Sequence, residues 1–110
     1  MGFTATQNKG FRMNFENGFT ISVQWGTENY CEKKSYNTDT DPTKERIWES
    51  TSAEIAVFND TGIVPVGNSD EVIGWGSADE VATVIAIVQS AHPDNQEEMV
   101  EEIKSLKTNI

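Results

Sequence analysis

Large apolar residues alternate with polar ones through the stretch FRMNFENGFTISVQW, residues 11–25. Phe11, Met13 and Phe15 alternate with Arg12, Asn14 and Glu16; beyond Asn17-Gly18, Phe19, Ile21, Val23 and Trp25 alternate with Thr20, Ser22 and Gln24. A period of two places the two sets on opposite faces of a strand. Asn-Gly between two such runs is a strong hairpin signal, because both residues tolerate the positive φ of a type I′ turn. The pattern therefore predicts a hairpin over 11–25 that turns at Asn17-Gly18 in type I′ geometry. Its apolar face needs a cover, since a lone hairpin is marginal in water.

The rest of the chain supplies candidates for that cover. Residues 1–10 are polar with two glycines and read as a loose lead-in. Residues 32–52 read as a long polar loop, well beyond the usual connection length. Residues 53–59, AEIAVFN, predict a third strand with Ile55 and Val57 on one face. Ala56 and Phe58 on the other face predict that this strand is covered on both sides. Short strands follow at 63–66 and 71–75; Pro65 marks the first as an edge, because proline cannot donate to a ladder.

Ser77-Ala78-Asp79-Glu80 has the spacing of a capping box. Val81, Val84, Ile85 and Val88 then recur at helical spacing, with Ala82, Ala86 and Ile87 widening the arc, and predict a helix over about 78–91. His92-Pro93 ends it, since the residue before proline avoids the helical region. A second helix carries Met99, Val100, Ile103 and Leu106 on one side and Glu97, Glu98, Glu101 and Glu102 on the other. The predicted class is α+β: a single domain over 1–110, with a small antiparallel sheet led by the N-terminal hairpin and packed against one or two C-terminal helices. The surplus of apolar faces for so small a sheet predicts a homo-oligomer.

Charge narrows the range of partners. The formal net charge is −10. Residues 1–46 carry six basic and six acidic side chains, whereas residues 47–110 carry two lysines against twelve acids. That surface disfavours direct nucleic-acid binding, and it suits either a solvated acidic face or docking on a basic partner. The single cysteine, Cys31, allows no internal disulfide. No apolar run reaches the length of a membrane span. The opening MGFTATQNKGF lacks an apolar signal core, so the sequence predicts no secretory leader and a reducing cytosol.

Catalytic chemistry finds little footing. His92 is the only histidine and stands at a predicted helix end, where the dipole accounts for it. Cys31 has Lys33 and Lys34 nearby to favour its thiolate, but no local base or orienting group. One Cys and one His cannot build a zinc site of the usual kind. Asp39 and Asp41 resemble a fragment of a calcium loop without its Gly and distal Glu. The expectation is a protein that is not an enzyme and carries no cofactor or metal. The rings and cations offer more. Tyr30, Tyr36, Trp48 and Trp75 sit at predicted strand ends and loops, and Lys33, Lys34, Lys44 and Arg46 lie among the first three. Core packing explains any one ring alone. Together they are what a planar anion requires, rings to stack on and cations to pair with phosphate. Asn29, Asn37, Glu49, Ser50 and Thr51 add hydrogen-bonding groups.

The segments FENGFTISVQWG, NYC and VIGWGSADEVA resemble small proteins encoded by tailed bacteriophages, over Phe15–Cys31 and Val72–Val81. The resemblance implies action in the cytoplasm of an infected bacterium and supplies no catalytic residues. Accessory proteins of this kind and size often blunt host defence. Two routes fit the composition: sequestration of a small anionic, nucleotide-like host signal, or an acidic inhibitor that imitates DNA toward a basic host protein. A minor virion component is the third reading.

Overall fold

The computed structural model describes residues 1–6, 10–25, 49–68 and 70–108. Among the described residues six strands form one antiparallel sheet: β1 (Gly2–Thr6), β2 (Gly10–Asn14), β3 (Thr20–Gln24), β4 (Ala53–Asn59), β5 (Gly62–Val64) and β6 (Ile73–Gly76). The order is β1-β2-β3-β4, and β5 and β6 then share the far edge of β4. β5 pairs with the Val57–Asn59 half and β6 with the Ala53–Ile55 half. Two helices follow, α1 (Ala78–Ser90) and α2 (Gln96–Thr108), so the architecture is the α+β arrangement expected.

The hairpin forms with a different turn. Phe11 faces Val23 and Met13 faces Ile21. The turn holds three residues, Glu16, Asn17 and Gly18, between Phe15 and Phe19. Phe15 N–H donates to the Phe19 carbonyl at 2.9 Å, and Gly18 N–H donates to the Phe15 carbonyl at 3.1 Å. Gly18 takes φ 93°, while Asn17 keeps negative φ, which rules out type I′. The reason is parity. A two-residue turn would set Phe15 opposite Thr20 and send the two apolar rows to opposite faces of the sheet. A three-residue turn with glycine in the left-handed position keeps both rows together.

The expected lead-in is also a strand at residues 2–6. β1 extends the meander, with Phe3 paired to Met13 and Ala5 to Phe11. Phe3 and Ala5 thus continue the same apolar face.

α1 covers that face over β3, β4 and β6. The capping box forms in full: Glu80 N–H donates to Ser77 Oγ at 3.1 Å, and Ser77 N–H donates to Glu80 Oε1 at 3.2 Å. Val84, Ile87 and Val88 are the buried stripe of α1, and they share one core with Ile21, Val23, Ile55, Val57 and Val64. Ala82 and Ala86 are exposed and do not widen the buried arc. α2 packs on α1 within the same chain, with Met99 and Ile103 buried. Its apolar stripe is therefore satisfied without a second subunit. The opposite face of the sheet is buried only in part. Ser22, Gln24 and Ala56 are buried there, and the Arg12 guanidinium stands 5.1 Å from the Phe58 ring centroid. On β4 the Ile55 and Val57 face lies under α1, while on the other face Ala56 is buried and Phe58 is half-buried.

The hairpin turn reaches the far end of α1. Asn17 Nδ2 donates to the carbonyls of Val88 at 2.9 Å, Gln89 at 3.2 Å and Ala91 at 2.8 Å. Asn17 Oδ1 accepts from Phe19 N–H at 3.0 Å. The last turn of a helix leaves carbonyls without partners, and here one side chain from the hairpin takes several of them.

Candidate ligand-binding cleft

Near its start α1 lies over the sheet edge without closing on it. Small residues produce the gap: Ala53 on β4, Gly76 on β6, and Ala78 and Ala82 on α1. Gly76 lies so close to β4 that a Cβ there would stand 3.0 Å from Ile55 Cδ1. The result is a cleft of about 680 Å³. Phe11, Val23 and Trp25 form one wall, and Val81 and Ile85 of α1 form the other. The Phe11 and Trp25 rings meet edge to face, with centroids 6.2 Å apart and planes at 68°.

The rim is polar. Glu49, Ser50, Thr51 and Ser52 line it just before β4 begins. Ser50 Oγ donates to the Ser52 carbonyl at 2.6 Å and accepts from Ser52 N–H at 3.3 Å, which holds this short turn in place. An apolar cleft of this size with a few polar groups at its mouth is what small-molecule sites look like. Among the described lining residues Glu49 is the only charged one. Those residues suit a flat, uncharged ring and offer no counter-charge to an anion.

Tyr30, Lys33, Lys34, Tyr36, Lys44, Arg46 and Trp48 lie outside the described residues. In the sequence they fall between Trp25 and Glu49, both of which line the cleft. Trp75 is described. It is 54% exposed, with φ 60°, at the register shift between β4 and β6. It is absent from the cleft lining, although its neighbour Gly76 contributes to the floor. A tryptophan held in the left-handed region is strained, and such strain concentrates at functional positions.

By their spacing in the sequence Phe11, Val23, Val81 and Ile85 are core residues alone. Their cleft role had a signal. Trp25 ends the alternating run, and the small residues Ala53, Gly76, Ala78 and Ala82 recur where large apolar ones would have closed the gap. His92 is exposed, and its Nδ1 accepts from Asp94 N–H at 3.1 Å. Among the described residues no three His, Cys, Asp or Glu side chains gather to hold a metal, and no helix is long and apolar enough to cross a membrane. Compared with family models, curated proteins and solved structures, the chain matches none.

Proposed function

We propose that this protein is a non-catalytic binder of a small, nucleotide-like anion, whose planar ring enters the cleft beside Phe11 and Trp25. The cleft itself carries the reading: it has aromatic and aliphatic walls, a hydroxyl rim and room for a ligand of that size. The phosphate falls to Lys33, Lys34, Lys44 and Arg46, which the chain places between two cleft-lining residues. With the resemblance to phage proteins, the role is sequestration of a host signalling nucleotide in an infected bacterium. Calorimetry against cyclic nucleotides and ADP-ribose derivatives tests it. Binding should be stoichiometric, and heat denaturation should release the ligand chemically intact. Ala82→Glu, at an exposed position of the cleft wall, should weaken binding, and alanine at the four cations should abolish it. No heat with any of these ligands refutes the proposal, and recovery of an altered ligand refutes the non-catalytic part.

A second reading rests on α2. Glu97, Glu98, Glu101 and Glu102 are all exposed on it. An acidic inhibitor would dock this face on a basic host protein, and its binding would fall steeply with salt. Glutamine at the four positions would remove that binding and leave the nucleotide site untouched.

A further inference from the structure

We propose that β1 is a self-association edge, through which two copies of the chain join their sheets in antiparallel register around Thr4. Among the described residues β2 is the only strand paired with β1, so its second edge offers free backbone donors and acceptors. Edges of this kind are normally guarded by charge, proline or brevity. The opposite edge is divided between two short strands: β5 has only three residues with Pro65 directly after it, and β6 has four. β1 has five residues, Gly-Phe-Thr-Ala-Thr, with neither a charge nor a proline.

Its side chains suit a second copy. Full antiparallel overlap of residues 2–6 with themselves sets Thr4 opposite Thr4, and Phe3 opposite Ala5, in both directions. Thr–Thr is a favourable cross-strand pair, and Phe against Ala sets a large side chain beside a small one. Phe3 and Ala5 share the face of Met13, Ile21 and Val57, yet Phe3 is 80% exposed. Among the described residues the helices contact chiefly β3, β4 and β6, and at this end of the apolar face Phe3 and Ala5 stay exposed. A twofold pair would bring both Phe3 rings onto the combined face, diagonal to each other.

Charge selects the same edge. Residues 1–25 carry Lys9 and Arg12 against Glu16, whereas residues 47–110 carry the entire net −10. Two copies meeting through the helices would oppose like charges, and meeting through β1 keeps the acidic halves apart. The contact is small, so the dimer should be weak, with Kd on the order of micromolar.

Sedimentation velocity over a concentration series reads the equilibrium. The wild-type chain should pass from monomer to dimer. Thr4→Lys sets like charges face to face on the twofold axis and should raise Kd at least about tenfold. Thr4→Glu should do the same, and an equimolar mixture of the two should recover a heterodimer. Far-ultraviolet circular dichroism should show both variants folded, since Thr4 is exposed. A wild-type chain monomeric at hundreds of micromolar overturns the proposal. So does a dimer that Thr4→Lys leaves intact, which would place the contact elsewhere.

Discussion

Asn17 Nδ2 donates to the Ala91 carbonyl across 2.8 Å, so a hairpin turn caps the C-terminal end of a helix. Asn17 also orders its own turn through Phe19 N–H. One amide thus joins sheet and helix at the end opposite the cleft. Asn17→Ala should cost about 1–3 kcal/mol, because it takes the side-chain donor from the partly buried Ala91 carbonyl and leaves Val88 only its bond from Ala91 N–H. Asn17→Asp keeps the acceptor for Phe19 but points a carboxylate at three carbonyls, and should cost at least as much. Urea unfolding measures both; losses under about 0.5 kcal/mol would show that water replaces the cap.

Ile103 is 1% exposed and anchors α2 to the common core. Ile103→Ala should lose about 2–5 kcal/mol. Glu102→Ala, one residue earlier and exposed, should stay within about 0.5 kcal/mol. Similar losses for the two would mean that α2 does not dock on α1 as described.

At Trp75 the backbone conformation itself makes the prediction. A left-handed φ costs an L-residue about 1–2 kcal/mol, and glycine avoids most of that cost. Trp75→Gly should therefore melt above Trp75→Ala, by an amount equivalent to about 1 kcal/mol. The reverse order would mean that the 60° φ is not a fixed feature of the folded state.

The capping box gives a graded pair. Ser77→Ala should lose about 0.5–2 kcal/mol. Glu80→Gln keeps a side chain able to accept from Ser77 N–H and should lose less. Thermal unfolding of the two variants side by side separates them, and a loss for Glu80→Gln as large as that for Ser77→Ala would show that the Glu80 charge contributes beyond its hydrogen bond.

Elements whose signal is local were legible in the sequence. Ser77 and Glu80 lie three residues apart and fixed the start of α1. Ala53–Asn59 had enough alternation to be read to its ends. The hairpin was legible, and its turn was readable in principle, because odd-numbered apolar residues on both sides demand an odd-numbered loop. The dipeptide preference of Asn-Gly pointed the other way, and burial of two apolar rows outweighs it. β1 was missed because Phe3 and Ala5 give too short an alternation to stand alone; its partner, β2, makes it a strand. Asn17 as a helix cap could not be read at all, since its acceptors lie more than seventy residues away. The cleft left only a partial signal, its small residues, for a related reason. Phe11 and Ile85 look like core residues, and only the packing of small neighbours shows that the space between them stays open.

Asn17 and Ala91 are separated by 74 positions, which has a consequence for how the chain is made. A ribosome adds about 5–20 residues per second, so the helix end trails the turn that caps it by roughly 4–15 s. Through that interval β2 and β3 can pair, but Ile21 and Val23 have no helix above them and the β1 edge stands open. Closure waits on contacts distant in sequence, which slows the final step relative to a helical bundle of equal length. The nascent hairpin is therefore the stage at which this chain is most exposed to sticking to its neighbours, and dilution or a slower supply of chains should raise the yield of folded protein.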